Sequence, residues 1–468
     1  MEGHDSGLER AGEAFECAEY RGENPLYQHG PLMLSASGRA LAHEDGTPFF
    51  WLADTAWNGV IRADDDDWRE YLTVRAEQRF NVIQFVCSHW RGNAMDEAGE
   101  PSYYDDGDSI CINPCFFQRL DRRVAMINEF GLVAAPVVLW SLLKTDPGYK
   151  LKEEDATRLA SYIVSRYDAY QVVWLLGGDG NYQKIGIDRW KRIGRSVFGC
   201  GHNRLSTLHP SGRNWVGEAF RGEAWYDMIG YQSGHCDSDD HLRWLVKGPP
   251  ATFWAVTPSR PILNLEPNYE TAWGEQHKTV FTDYHVRRAA YWSLLVSPPS
   301  GVTYGHDAIW NWNYETGPSE GHGDWHGGVV PPWRTGLETT GIRCMTVLRG
   351  IFEKLDWTTL TPCRSILAEE SQRKDAEAFI AVGRTAGNTV VVYSPRGGTV
   401  GVTPDAAVSG PVHIIDPRTG ESVQVSERFE NRIDFPDSRD WLAVCGGEWV
   451  QRQNDNNAMQ TDARAARR

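Results

Sequence analysis

Two carboxylic acids in this sequence close short apolar runs. Asp179 follows Val172–Leu176 in QVVWLLGGDGNY (171–182), and Glu266 ends the apolar run of PILNLEPNYE (261–270). Such a run suits a strand buried on both faces of a parallel sheet, and Gly177 and Gly178 beside Asp179 would let another molecule approach the backbone. The C-terminal end of such a strand is where an α/β barrel carries reacting groups. The plainer role for either acid is to cap the next helix or fix a turn. Two acids of one design suggest a pair. Hydrolysis of a glycosidic bond needs one protonated carboxyl to assist the leaving oxygen and one carboxylate to attack or to activate water, and Asp179 and Glu266 fit those roles.

Other polar and aromatic residues fall at predicted strand ends: Asp54 and Trp57, Gln84 with His89 and Trp90, Trp140, His209, Gln232, and His306 with Trp310 and Trp312. In a barrel these ends converge on one mouth, which makes them candidate substrate-binding residues. Singly, each has a plainer role: Asp54 bonding backbone amides, Gln84 satisfying the barrel core, His209 packed before Pro210. Trp140, Trp174, Trp254 and Trp273 could form an apolar wall that keeps one carboxyl protonated. The stretch Tyr304–His326 gathers His306, Asp307, His322, Asp324 and His326 without the helical His spacing or Cys/His pairing of a zinc site. An aromatic, glycine-rich loop over the cleft is expected there, with no metal and no cofactor.

The elements that must position these residues alternate. Strands are expected at Phe49–Ala53, Asn81–Cys87, Leu132–Trp140, Val172–Leu176, Arg204–Leu208, Asp227–Gln232, Ile262–Leu265 and Val302–Gly305. Helices or long loops follow each, among them Asp64–Arg79, Asn113–Phe130, Glu153–Tyr167, Ile185–Val197, Asp239–Val246, Asp283–Val296 and Leu337–Leu355. That rhythm predicts an α/β fold, a (β/α)8 TIM barrel over residues 28–355. Asp45-Gly46 reads as a hairpin turn before the first barrel strand, and the aspartates opening Asp64–Arg79 as a complement to the helix dipole. After Asp356 short β-rich runs separated by turns predict a C-terminal antiparallel β-sandwich over 356–450, leaving tails at 1–27 and 451–468.

Composition bounds the partners. A net charge of −16 disfavours nucleic acid and anionic membrane, and no segment reaches transmembrane length. The 20 Trp and 18 Tyr favour sugar, because aromatic faces stack on sugar rings; an oligosaccharide or glycoside substrate is expected. Nine scattered cysteines without CxxC pairs and an acidic N-terminus without an apolar core read as a cytoplasmic protein.

PFFWLADTAW, RFNVIQFV, the NP…LD…G run from Asn113 to Gly131, WLLGGDGN and LEPNYE together resemble the apiosidase-like glycoside hydrolases over residues 28–450. The closing IIDPRTGE (414–421) resembles that family's C-terminal domain, often labelled collagen-binding. The resemblance implies a barrel glycosidase with the GGD aspartate, Asp179, as acid/base and the LEPNYE glutamate, Glu266, as nucleophile, and release of apiose from a pectic polysaccharide as the characterised activity. Two other classes stand beside it: a non-catalytic carbohydrate-binding barrel, and a metal-dependent hydrolase using the 304–326 loop.

Overall fold

Between residues 51 and 304 eight short runs rich in β-branched and large apolar residues form parallel strands that close into a barrel. The structure is a computed structural model, and it describes residues 19–446 apart from 92–94, 200–202, 236, 298–299, 320–328, 374, 404–407 and 427–430. A small antiparallel sheet comes first, β1 (Leu32–Leu34), β2 (Leu41–His43) and β3 (Pro48–Phe49), with Asp45 and Gly46 at the turn between β2 and β3. The barrel strands β4 (Trp51–Thr55) and β5 (Val82–Val86) follow. An inserted hairpin, β6 (Tyr103–Asp105) and β7 (Ile110–Ile112), precedes the third barrel strand, β8 (Val133–Trp140). The remaining five are β9 (Trp174–Gly180), β10 (Ser206–Pro210), β11 (Ile229–Gln232), β12 (Ile262–Glu266) and β13 (Gly301–Tyr304).

Pairing runs unbroken from β10 through β9, β8, β5 and β4 to β13, and β11 pairs with β12. β10 lies against β11 and β12 against β13, which completes the ring. The first barrel strand begins at Trp51 and not at Phe49, because Pro48–Phe49 turns back to pair with β2. The helix expected over Ile185–Val197 is two, Tyr182–Ile185 and Ile187–Phe198, parted at Gly186 with φ 101°. Asp64 caps the Asp65–Glu77 helix by accepting from the Asp67 amide at 2.8 Å, so those aspartates serve the helix start.

Alternation sorts the barrel side chains. Trp51, Ala53, Val82, Val86, Val133, Ala135, Val137, Val173 and Leu175 share an inner core that Leu26, Leu32, Leu41 and Phe49 plug from the N-terminal end. Leu52, Ile83, Phe85, Ala134 and Trp174 face the helices in a second, larger core. The helix Pro25–His29, which falls partly in the tail expected over 1–27, is ordered: the Asn24 side chain caps Leu26 and donates to the Asn128 carbonyl at 2.6 Å.

The C-terminal sandwich holds a six-stranded antiparallel sheet in the order β14 (Thr361–Pro362), β15 (Ala381–Arg384), β16 (Val390–Ser394), β21 (Trp441–Cys445), β18 (Val412–Ile415) and β19 (Ser422–Ser426). A pair, β17 (Thr399–Gly401) with β20 (Arg432–Asp434), faces it across a third core. The sandwich docks on the Asp283–Val296 helix. Arg287 donates to both oxygens of Asp440 at 2.9 Å, Tyr291 stacks on Tyr393 at 4.7 Å, and Trp292 donates to the Phe379 carbonyl at 2.9 Å. The larger barrel core runs without a break into this interface through Tyr393, Leu442 and Val444. A shared core makes the two domains one cooperative unit: calorimetry of the intact protein is expected to show one transition, and truncation after Leu355 to give insoluble or destabilised protein. Two separate transitions would contradict this.

Candidate active site

Asp179 and Glu266 both sit where strand register breaks. Along β9 and β10, Thr207 pairs with Leu175 but His209 with Gly178, and Pro210 with Gly180, so the strand carries extra residues as it reaches Asp179. Asp179 itself has φ 51°, the left-handed region that costs a non-glycine residue energy. Along β11 and β12, Tyr231 pairs with Asn264 but Gln232 with Glu266, skipping Leu265. Leu265 lies in the inner core, so unbroken alternation would turn Glu266 outward to the helices; the bulge turns it into the mouth. The glycines before Asp179 serve packing, not ligand approach. A Cβ on Gly178 would lie 2.4 Å from Trp140, and one on Gly177 2.6 Å from the Tyr182 hydroxyl.

Both carboxyls line a cavity of about 370 Å³ with Trp57, Arg91, Gln232, His235, Tyr269 and Trp310. Glu266 is held between two imidazoles: His235 Nε2 is 2.9 Å from Oε1 and His209 Nε2 3.3 Å from Oε2. Arg91 comes within 3.6 Å of Asp179 while lying over the rings of Trp90, Trp140 and Trp310. Burial and then the charge of Glu266 push Asp179 up to about 7, with Arg91 opposing. Burial also works to raise Glu266, but the imidazoles of His209 and His235 beside it bring it down to about 2. Burial pulls His235 down, yet the bond and charge of Glu266 leave it raised. The same cavity thus favours the protonated form of one acid and the ionised form of the other. Among the buried polar atoms beside them, Gln232 Oε1, His235 Nδ1 and His209 Nε2 make no hydrogen bond to the described residues, and the first two are open to ligand hydroxyls.

The other predicted positions divide by side chain. Trp57, Gln232 and Trp310 line the cavity; Trp57 donates to the Tyr269 hydroxyl at 3.0 Å, and Trp310 to Asp307 at 2.9 Å. Trp140, Trp90 and His209 form the layer beneath, with His209 edge-on to Trp57 and Trp140 tilted against both. Gln84 spans the barrel interior, donating to the Leu265 carbonyl at 2.9 Å. His89 bonds Ser102 at 2.6 Å away from the cavity, and burial lowers it to about 4. His306 caps the Asp307–Asn311 helix through Nδ1, and Trp312 stacks on Trp333 at 4.4 Å in the outer core. Asp54 faces the helices, where Tyr71 donates to it at 2.7 Å and Arg75 at 2.5 Å. Of the four tryptophans proposed as an apolar wall, Trp140 alone joins this layer; Trp174 faces the helices and bonds Asp168, and Trp254 and Trp273 are half-buried elsewhere.

Arg91, His235, Tyr269 and Glu275 line the cavity without having been singled out from sequence. Signals existed for three of them: Arg91 follows Trp90 directly, His235 lies three residues past Gln232, and Tyr269 is inside LEPNYE. His322, Asp324 and His326 lie outside the described residues; among those described, no group of three or more His, Cys, Asp or Glu could hold a metal ion. No described helix is long and apolar enough to cross a membrane.

An eight-stranded parallel barrel with paired carboxyls at its C-terminal mouth has the architecture of the barrel glycoside hydrolases. The chain belongs to one family of them: residues 35–359 match the family described as "Apiosidase-like, catalytic domain", and the chain is a glycoside hydrolase. Solved structures with the same fold include one titled "Glycoside hydrolase", with TM-score 0.76, 24% identity, and coverage of 90% of this chain and 97% of that one. Another is a glycoside hydrolase family 5 protein from Bacteroides vulgatus ATCC 8482, with TM-score 0.77, 22% identity, and coverage of 90% and 93%. No curated protein matches the sequence.

Asp54 gives a test of this partition. Asp54→Asn removes the charge that Arg75 is buried against and is expected to cost about 3–5 kcal/mol of stability, seen in denaturant unfolding. The KM of the remaining folded enzyme should be unchanged; a raised KM with unchanged stability would return Asp54 to the substrate.

Proposed function

We propose that this chain is an exo-acting, retaining glycoside hydrolase in which Asp179 is the general acid/base and Glu266 the nucleophile, removing a terminal sugar, apiose or another plant or bacterial glycan sugar. The observation that carries the reading is the opposite displacement of two buried carboxyls in one cavity, Asp179 upward and Glu266 downward. In the first half-reaction the Asp179 proton passes to the leaving oxygen as the Glu266 carboxylate attacks the anomeric carbon. In the second, Asp179 takes a proton from water as that water displaces Glu266, and both groups return to their starting states. A cavity of about 370 Å³ has room for one or two sugar rings, which favours attack at a chain end. Trp57, Trp310 and Tyr269 supply apolar faces, and Gln232 and His235 supply groups for sugar hydroxyls.

Asp179→Asn and Glu266→Gln should each lower kcat/KM on a natural glycoside by roughly 10²–10⁴-fold with the fold intact. Asp179→Asn should lose least on substrates with good leaving groups, because these need little protonation; equal loss on good and poor ones would remove the acid role. Proton NMR of the first-formed sugar should show the anomeric configuration of the substrate, and the opposite anomer would make Glu266 a general base.

The pH profile follows from the signs. Turnover needs Asp179 protonated and Glu266 ionised, so kcat/KM should fall on the alkaline side with a midpoint near 7 as Asp179 deprotonates, and on the acid side only below the ordinary glutamate range. In Asp179→Asn, assayed on an activated aryl glycoside, the alkaline limb should vanish.

A further inference from the structure

His209 touches both carboxyl-bearing segments. Its Nδ1 is 3.4 Å from the backbone N–H of Asp179, and its Nε2 is 3.3 Å from Glu266 Oε2. The backbone can only donate, so Nδ1 must accept and carries no proton. The ring's single proton then sits on Nε2, with Glu266 Oε2 within reach. At 3.3 Å the Nε2 contact falls outside hydrogen-bond geometry, as catalytic contacts often do before a substrate closes a site. The ring cannot rotate away: it is fully buried, edge-on to Trp57 at 5.2 Å and tilted against Trp140 at 6.3 Å.

We propose that His209 is a positioning residue that works only as the neutral Nε2–H tautomer, bridging the backbone of Asp179 to the carboxylate of Glu266 so that the two carboxyl-bearing segments are held to one another by a single ring. This rests on Asp179 and Glu266 being the reacting pair. The bridge acts differently at its two ends. At Asp179 it is the acceptor for the amide of a residue in left-handed conformation, and so helps to hold a backbone geometry that is unfavourable by itself. At Glu266 its protonated Nε2 lies 3.3 Å from Oε2, beside the His235 bond to Oε1 at 2.9 Å, and so favours the ionised form. Protonating His209 would place a proton on Nδ1 and destroy the bond to Asp179. The charged groups facing the pair are Arg91 on Asp179 and His235 on Glu266; Tyr269 also faces Glu266, and its raised pKa keeps it neutral.

The two ends can be cut separately. In His209→Asn the amide oxygen stands near the position of Nδ1 and keeps the acceptor for Asp179, while the donor to Glu266 is lost. In His209→Gln the amide nitrogen stands near Nε2 and keeps the donor, while the acceptor is lost. Carboxyl-¹³C NMR should show the Glu266 midpoint rising in the Asn variant and staying near wild type in the Gln variant. Amide hydrogen exchange at Asp179 should accelerate in the Gln variant and not in the Asn variant. Nitrogen-15 spectra of the wild-type ring should show an unprotonated Nδ1 and a protonated Nε2. These readouts need no substrate, so they stand even if no glycoside is turned over, a result that would fault the glycosidase assignment and not the bridge. With a substrate in hand, both variants should lose on the order of 10²-fold in kcat, the cost of a misplaced reacting group, with a smaller change in KM. A protonated Nδ1 in those spectra, or a Glu266 midpoint equal in wild type and His209→Asn, would overturn the proposal and leave His209 as packing between two indoles.

Discussion

Strand alternation in a closed barrel is the constraint on which the rest of this structure depends. Every second side chain of a strand must fill the interior and the others must meet the helices, and a barrel of eight strands has little room for exceptions. Asp54 obeys the rule and is carried outward to Arg75 and Tyr71, where it anchors a helix. Gln84 obeys it and is carried inward, where it bonds the Leu265 carbonyl across the lumen. Glu266 lies in the cavity because β12 gains a residue against β11, and Asp179 reaches the same cavity past two breaks between β9 and β10. The strain at Asp179 accompanies that departure from regular pairing.

The same rule explains what could be read in advance. Strand and helix existence was legible from apolar runs and their spacing, and the helices Glu153–Tyr167 and Asp283–Val296 have the bounds that the sequence predicts. Strand-end position also pointed to Trp57, Gln232 and Trp310, which do line the cavity. It pointed equally to Asp54, Gln84, His306 and Trp312, which do not. For Asp54 the inner run Trp51, Ala53, Thr55 already places the acid on the outer face, so counting parity would have separated it. For Glu266 parity gives the wrong answer, because a bulge is a matter of pairing with a neighbouring strand and leaves little trace in one chain's own pattern. His235 and Arg91 left only a positional signal, because they lie beyond the strand ends, on loops whose course depends on tertiary contacts.

Electrostatically, the cavity holds two acids apart by giving them unequal surroundings. Shifts in opposite directions are a preference for one particular proton arrangement. Desolvation alone would raise both carboxyls and leave the site neutral. The asymmetry comes from donors: Glu266 has two imidazoles against it, whereas Asp179 has one guanidinium at 3.6 Å that is also spread over three indole faces. Removing imidazoles would therefore erode the difference more than removing aromatic walls would.

The sandwich takes part in holding this arrangement, although it contributes no residue to the cavity lining. Asn264, two residues before Glu266, faces outward and donates to Ser293 Oγ at 3.0 Å and to Ser233 Oγ at 2.9 Å. Ser293 belongs to the Asp283–Val296 helix, and the neighbouring Tyr291 and Trp292 are the residues gripped by Tyr393 and by the Phe379 carbonyl. A continuous line of buried contacts thus runs from the second domain through one helix to the strand that carries Glu266. Glycine at 383 fits that line, since a Cβ there would meet Leu295 at 3.1 Å and Leu360 at 3.0 Å. A domain used only to tether the enzyme to a polymer would need none of this, whereas one that fixes the last barrel helices must be packed as closely as the barrel itself.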